Sequence, residues 1–303
     1  MLACIFFFAM LLVPASQAGV FCTLNVGGEP TDTLHDALNN RTFVSLFTGN
    51  EVLVLGHGCS IESVLSTSTN PGGMAFDGTN LWVALYGGNA VEKINVSTGN
   101  GTIYPVGAGP RGVAFDGTYI WVTNENSNTV TKLLASNGFI ESTISVGSHP
   151  WGVAVNDTNA QLRIWVANLS SANISVLDQN GVLQNTIATG SEPLFFASSS
   201  TYNGTLYGGN MFVSCYTSER VEEFTFGGSL VASYSIAGSP TGITQGPQLY
   251  GGAHDGKLFL ISPGGSITYD AVGYNNYGAA YDLNSSTVWL TDINEGKIFE
   301  IAP

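Results

Sequence analysis

Four side chains that can bind or orient a ligand stand at two related positions of the chain. Arg111 and Trp151 each directly follow a proline, and Tyr86 and Glu125 each stand four residues after a tryptophan. A guanidinium group binds carboxylates, so Arg111 either orients an acidic ligand or pairs with Glu125 or another acid. Aromatic side chains beside it suit a sugar or a peptide. This chemistry depends on a fold that brings the four residues together.

Motifs of familiar catalytic or nucleotide-binding sites do not occur in the sequence. There is no HExxH, no P-loop, no GxSxG and no EF-hand loop. His254 and Asp255 are neighbours, but no group of Cys and His has the spacing of a zinc site. We therefore predict a protein without a cofactor, in which binding is favoured over catalysis.

The first residues have the pattern of an export signal. An apolar run over residues 5–13 is followed by small side chains at Ser16 and Ala18. The run is too short to span a bilayer comfortably, and no later segment is long and apolar enough to do so. We predict a cleaved signal peptide at 1–18 and a secreted or cell-surface mature protein, with a retained anchor as the alternative.

The few charges of this 303-residue chain are mostly acidic. It has 22 Asp and Glu against 8 Lys and Arg, which gives a formal net charge of −14. Such a chain repels nucleic-acid backbones and anionic membrane surfaces. We predict that it binds neither and acts as a monomer whose partner is an extracellular protein, peptide or glycan.

A repeat of about 40 residues organises the rest of the chain. Residues 71–83 read PGGMAFDGTNLWV, and residues 110–122 read PRGVAFDGTYIWV. Each unit holds four strand-like runs joined by turns such as Asp-Gly, which supply the positive φ angles of tight hairpins. The pattern predicts an all-β, seven-bladed β-propeller of four-stranded antiparallel blades. The seven units begin near residues 30, 71, 110, 150, 193, 240 and 276.

The last unit has room for only three strands. Residues 20–27 match the pattern that ends other units, as in the ISVG of residues 144–147. We predict that an N-terminal strand within 19–29 completes the last blade and closes the ring of a single domain, residues 19–303. Closure protects blade edges that would otherwise be exposed.

Residues 120–155 resemble the YVTN repeat of secreted and cell-surface propellers. The P-x-G-V-A-F-D-G-x-x-x-W-V spacing is also similar to NHL propellers and, more loosely, to virginiamycin B lyase. This likeness is specific for the fold and weak for function. In such propellers, the loops that enter the first strand and those that leave the second share one face around the central channel. The resemblance therefore implies a ligand site at this channel mouth, with the candidate residues Tyr86, Arg111, Asn124, Glu125, Trp151, His254, Asp255 and Asp292.

The resemblance also implies an enzymatic alternative. Virginiamycin B lyases use His and Glu side chains with a magnesium ion in the central mouth. Where their repeats tend to read WFTE, this chain reads WVAL, WVTN, WVAN and WLTD, so fewer acids are present to hold a metal. A binding module is the leading hypothesis. The alternatives are an extracellular lyase-like or lactonase-like enzyme with a divalent cation such as Mg²⁺ or Ca²⁺, and a structural component of the cell envelope.

Three cysteines follow the predicted signal peptide. Cys22 lies early in the closing strand, and Cys59 precedes the outer strand of the first blade. We predict that both reach one rim and form a disulfide that pins the closing strand, which leaves Cys215 unpaired.

Asn-x-Ser/Thr motifs are frequent, and in an exported chain they are candidate glycosylation sites. Because Asn, Ser and Thr are common throughout this sequence, chance also produces such motifs. The candidates are Asn40, Asn95, Asn100, Asn156, Asn168, Asn173, Asn203 and Asn284.

Overall fold

The computed structural model describes residues 19–158, 161–198, 209–272 and 276–302. The predicted signal peptide at 1–18 and the candidate glycosylation site Asn203 lie outside these ranges. Within the described ranges, no helix has the length and apolarity needed to cross a membrane.

The described strands form seven four-stranded antiparallel sheets, which are the blades of a propeller. Blade 1 contains β2 (Pro30–Asp36), β3 (Arg41–Leu46), β4 (Glu51–Gly56) and β5 (Ser60–Ser66), with a 3-10 turn at His57–Cys59. Blade 2 contains β6 (Pro71–Phe76), β7 (Asn80–Leu85), β8 (Ala90–Asn95) and β9 (Gly101–Pro105), with a 3-10 turn at Tyr86–Gly88. Blade 3 contains β10 (Pro110–Phe115), β11 (Tyr119–Asn124), β12 (Thr129–Leu134) and β13 (Ile140–Ser145), with a 3-10 turn at Glu125–Ser127.

The remaining four blades repeat this strand order. Blade 4 contains β14 (Pro150–Thr158), β15 (Gln161–Asn168), β16 (Asn173–Asp178) and β17 (Leu183–Ala188). Blade 5 contains β18 (Pro193–Ser198), β19 (Met211–Cys215), β20 (Arg220–Phe224) and β21 (Leu230–Ser235). Blade 6 contains β22 (Pro240–Gln245), β23 (Leu249–Ala253), β24 (Lys257–Ile261) and β25 (Ile267–Ala271). Blade 7 contains β26 (Asn276–Asp282), β27 (Thr287–Asp292), β28 (Lys297–Ala302) and β1 (Gly19–Asn25).

The predicted fold is confirmed, including the closure of the ring. Strand β1 comes from the N-terminal part of the chain and pairs antiparallel with β28, so that Thr23 lies opposite Phe299. The seven predicted starting residues are also the first residues of the seven inner strands. The ring is therefore held together by pairing between two segments far apart in sequence.

Turn chemistry and tryptophan burial build the blades locally. In blade 2, Gly78 has a φ of +95°, and the carboxylate of Asp77 accepts a hydrogen bond from the backbone of Thr79 at 3.0 Å. The other oxygen of Asp77 accepts a hydrogen bond from Trp82 Nε1 at 2.9 Å. Trp82 is fully buried, so this carboxylate satisfies an indole N–H that would otherwise be unpaired in the core.

Close packing of the inner strands explains a recurrent glycine. A Cβ atom on Gly73 or Gly152 would collide with the carbonyl oxygen of the following blade's inner strand, at Arg111 and Leu194 respectively. The seven inner strands therefore surround a narrow central channel. Blade 1 carries Asp32 at this position instead of glycine, and its carboxylate accepts a hydrogen bond from the backbone of Met74 in blade 2 at 2.9 Å.

Two of the predicted glycosylation sites are wrong for the folded chain. Asn156 and Asn168 are fully buried. Asn168 donates from Nδ2 to Ser175 Oγ at 2.9 Å, so its amide is part of the core. By contrast, Asn40, Asn100 and Asn284 are exposed, and Asn95 and Asn173 are half-buried.

Candidate ligand site at the channel mouth

A repeated backbone hydrogen bond shapes one face of the ring. In six blades, the residue after the second strand donates its N–H to a carbonyl in the loop that enters the first strand. In blade 2, Tyr86 N donates to Asn70 O at 3.0 Å, and in blade 3, Glu125 N donates to Gly109 O at 2.9 Å. These bonds hold both loops of each blade beside the channel. We call this face the mouth, and it is defined by Phe47, Tyr86, Arg111, Glu125, Trp151, Phe195, Tyr216, His254 and Tyr277.

Arg111 lies between two aromatic rings at the mouth. Its guanidinium carbon is 4.1 Å from the ring centre of Tyr86 on one side and 4.1 Å from that of Trp151 on the other. The three residues come from successive blades, 2, 3 and 4. Because each ring face attracts a cation, the guanidinium is held flat and in one orientation.

Glu125 fixes Arg111 in its own plane as well. Arg111 Nε donates to Glu125 Oε2 at 2.6 Å, and the two side chains are only 23% and 14% exposed. Among the described residues, the two terminal nitrogens of Arg111 have no hydrogen-bond partner. The group is therefore preorganised, with donors left for an incoming acceptor.

A cavity of about 200 Å³ occupies the channel next to Arg111. Arg111, Trp151, Asp32, Phe195 and Tyr277 are among the residues in its wall. The rings of Phe195 and Tyr277 meet edge to face, with centres 5.5 Å apart. The wall of the cavity thus contains the Arg111 cation, the Trp151 ring and an aromatic pair from blades 5 and 7.

Two titratable groups of the wall are neutral over different pH ranges. Burial raises the pKa of Tyr277 above its ordinary value, although the nearby Arg111 cation opposes this rise. Burial also raises the pKa of Asp32 from 3.8 to about 7, against the hydrogen bond from Met74. Tyr277 is therefore a hydrogen-bond donor at neutral pH, whereas the carboxyl group of Asp32 changes its charge at a pH close to neutral.

Asn124 and Asp292 do not reach the mouth, and their prediction as ligand contacts is corrected here. Both are fully buried. Asn124 Nδ2 donates to Thr131 Oγ1 at 2.9 Å, and Asp292 Oδ1 accepts from the backbone of Glu295 at 2.9 Å. Successive side chains of a strand point to opposite sides, so the last residue of the second strand faces the packed neighbour while the next residue faces the mouth.

His254 and Asp255 lie on the rim of the mouth, where both are exposed. The ring of His254 meets that of Tyr216 edge to face at 5.6 Å. Asp255 forms an ion pair with Lys257 of its own blade. These two residues therefore lie at one point on the edge of the entrance, separate from the Arg111 cluster.

A divalent cation does not fit the described residues of the mouth. The carboxylate of Glu125 is already paired with Arg111, and the guanidinium repels a second cation at short range. Across the described ranges, the one group of three metal-ligating side chains whose donor atoms lie within 4.8 Å of one another is Cys22, Cys59 and Glu300. That group lies where β1, β28 and the His57–Cys59 turn meet, not at the mouth.

A second cavity, of about 210 Å³, lies between blades 5 and 6. Its acidic residue, Glu223, accepts hydrogen bonds from Tyr234 Oη at 2.7 Å and from Asn210 Nδ2 at 2.6 Å. Because both oxygens of Glu223 already accept hydrogen bonds within the protein, this carboxylate is less available to a ligand than the Arg111 guanidinium at the mouth.

The sequence pattern singled out neither Phe195 nor Tyr277. Phe195 stands where five blades have glycine, so its departure from the repeat was the available signal. The one other departure at this position, Asp32, also faces the channel.

No model of a known protein family matches the chain, and no curated protein matches its sequence. Solved structures do match its fold. A structure of streptogramin B lyase superposes with a TM-score of 0.80 at 17% identity, covering 94% of this chain and 96% of that one. Virginiamycin B lyase from Staphylococcus aureus gives 0.79 at 14%, covering 92% and 97%. The hydrazine synthase of Kuenenia stuttgartiensis gives 0.76 at 13%, covering 97% and 98%. At these identities the likeness shows the seven-bladed propeller fold alone.

Proposed function

We propose that this propeller is a secreted or cell-surface binding module that takes its ligand at the channel mouth. The observation that carries the proposal is the Arg111 guanidinium, clamped between Tyr86 and Trp151 and braced by Glu125. Its terminal donors lie next to the cavity of about 200 Å³. Arg, Trp and Tyr are also the residues that contribute most to binding at protein interfaces.

The ligand that suits this arrangement carries a single carboxylate next to a planar or apolar group. The carboxylate would pair with the terminal nitrogens of Arg111, and the rest would contact Trp151 and Tyr277. A ligand with many negative charges is disfavoured by the chain's net charge of −14. The C-terminus of a peptide and the carboxylate of an acidic sugar share the required chemistry.

The test is a binding screen with paired ligands. Peptides with a free C-terminus are compared with the same peptides amidated, and acidic glycans with their neutral counterparts. The proposal predicts selection of the carboxylate form and a loss of about tenfold or more in affinity for Arg111→Gln. Arg163→Gln is the matched control, because Arg163 lies away from the mouth. Its guanidinium carbon is 5.6 Å from the ring centre of Phe226. Equal binding by wild type and Arg111→Gln would reject the proposal.

Export and surface exposure are part of the same proposal. They are supported by the signal-like residues 1–18 and by exposed Asn-x-Ser/Thr motifs at Asn40, Asn100 and Asn284. The predicted mature protein begins at Gly19. Intact-mass measurement on native protein tests both the cleavage and the glycans, and a mass that retains residues 1–18 without added sugar would contradict them.

An enzyme of the virginiamycin B lyase type is the second candidate, supported by the TM-score of 0.80. One such lyase was solved with quinupristin. If the second candidate is correct, purified protein with added Mg²⁺ consumes quinupristin, as measured by chromatographic loss of the parent compound. A cation in the mouth would need the Glu125 carboxylate as a ligand. Because that carboxylate is paired with Arg111, we expect no consumption of quinupristin.

A further inference from the structure

The two ends of the chain are joined covalently as well as by strand pairing. Cys22 of β1 and Cys59 of the 3-10 turn in blade 1 form a disulfide, with Cα atoms 6.0 Å apart. The bond links the closing strand of blade 7 to blade 1. It therefore lies at the joint that completes the ring.

A buried carboxylate stands directly against this disulfide. Glu300 of β28 is fully buried, and its Oε2 atom lies 3.6 Å from Cys22 Sγ. A disulfide sulfur has no hydrogen to donate, so this contact gives the carboxylate nothing in the oxidised protein. Its bonds come instead from the backbone N–H of Gly58 at 2.7 Å and from Thr287 Oγ1 at 3.0 Å.

A histidine contacts the other oxygen of this carboxylate. His57 Nδ1 lies 2.5 Å from Glu300 Oε1, and the His57 side chain is 45% exposed. The donor atoms of Cys22, Cys59 and Glu300 lie within 4.8 Å of one another. Two sulfurs and one carboxylate oxygen are thus collected at one place, and both are atom types that bind zinc. The imidazole of His57 lies outside this group of three and contacts the other oxygen of Glu300.

The spacing also fits zinc once the sulfurs are released from each other. With Zn–S and Zn–O bonds of about 2.3 and 2.0 Å, sulfur and oxygen on a tetrahedron are about 3.5 Å apart. The distance between Cys22 Sγ and Glu300 Oε2 is 3.6 Å. Only the two sulfurs must separate, and Cys59 sits in a short turn rather than inside a strand.

We infer that the ring closure is a redox-dependent zinc site, formed when the Cys22–Cys59 disulfide is reduced. Its ligands are Cys22, Cys59 and Glu300, and His57 orients the Glu300 carboxylate. The reductant is a small-molecule thiol. Two thiols give two electrons and two protons to the disulfide, which yields two cysteine thiols and one external disulfide. Zn²⁺ then displaces the two thiol protons and binds both thiolates. The closing strand is therefore held by a covalent bond when oxidised and by a metal when reduced.

The test uses the mature protein with cobalt(II) as a spectroscopic substitute for zinc. Oxidised protein and protein reduced with a phosphine, then desalted without oxygen, are titrated with Co²⁺ and afterwards with Zn²⁺. The reduced protein should bind one equivalent of Co²⁺ with a thiolate charge-transfer band and tetrahedral visible absorption, and Zn²⁺ should displace it. The oxidised protein should show neither band.

Matched variants locate the site. Cys22→Ser should abolish the charge-transfer spectrum of tetrahedral cobalt, and Glu300→Gln and His57→Ala should each weaken binding by about tenfold or more. Cys215→Ser removes the third thiol, which is buried elsewhere, and should change nothing. His149→Ala is the control for an exposed imidazole and should also leave Co²⁺ binding intact.

Each outcome decides the inference. Reduced, folded wild type that takes no Co²⁺, or that binds it equally well as Cys22→Ser, overturns it. If reduction without metal unfolds the chain, as seen by near-ultraviolet circular dichroism, the inference requires Zn²⁺ to restore the folded signal. Failure of Zn²⁺ to restore that signal also overturns it.

Discussion

Removing the disulfide at the ring closure should destabilise the protein without changing its fold. The perturbation is the double substitution Cys22→Ser and Cys59→Ser, compared with wild type in oxidising buffer that contains a chelator. Strand β1 still pairs with β28 in the variant, because that register is set by backbone hydrogen bonds. The expected change is therefore in the free energy of unfolding rather than in secondary structure.

The magnitude follows from the loop that the disulfide closes. The bond spans a sequence separation of 37 residues. In the chain-entropy model, a loop of that size corresponds to about 4 kcal/mol of lost freedom in the unfolded chain. Polar replacement of Cys59, which is 9% exposed, adds to the loss rather than reducing it.

Urea unfolding followed by tryptophan fluorescence measures this difference. Four of the tryptophans are buried in the blades, so the signal reports global unfolding. Limited proteolysis, read by mass spectrometry, should show earlier cleavage near residues 19–25 in the variant. A difference in unfolding free energy below about 1 kcal/mol, with unchanged proteolysis, would refute the role assigned to the bond.

Three further predictions concern the interior. Asp32 has its pKa raised to about 7 in the folded state, so the folded state keeps a proton that the unfolded state releases, and the free energy of unfolding falls as pH rises from about 4 to about 7. Urea unfolding at pH 5 and pH 8 measures this slope, and Asp32→Asn should remove it. If the unfolding free energies of wild type and Asp32→Asn differ by the same amount at both pH values, the prediction is contradicted. Asp116→Ala leaves the buried indole N–H of Trp121, bonded at 2.7 Å, without its acceptor and should cost about 1–3 kcal/mol by thermal or urea unfolding. Asn124→Ala should cost a similar amount and leave ligand affinity intact, and reduced affinity with intact stability would restore Asn124 to the site.

The fold was predictable because its signals are local and repeated. A proline starts six of the seven inner strands, a Trp-Val pair occurs in three of the second strands, and an Asp-Gly turn joins these two strands in two blades. Each signal reports a local structural requirement that holds whatever the ligand is. Closure was also predictable, because residues 20–27 fit the one strand that the last unit lacks.

The site was only partly predictable, because its properties depend on contacts between blades. The sequence left Arg111 with two uses, and the structure shows pairing with Glu125 together with stacking on Tyr86 and Trp151. Asn124 and Glu125 are adjacent in sequence, yet one is buried and the other lines the mouth. A difference of one residue reverses the direction of a side chain, and the repeat pattern does not fix this at strand ends.

The organisation of the mouth around Arg111 can be measured directly by NMR of the arginine side chains. The chain has only four arginines, at 41, 111, 163 and 220, so their Nε–H signals are easily separated. We predict that Arg111→Lys removes one slowly exchanging signal that is shifted by the rings of Tyr86 and Trp151, and that Glu125→Gln makes this signal exchange faster. An Arg111 signal with the shift and exchange rate of a solvent-exposed arginine would contradict the account.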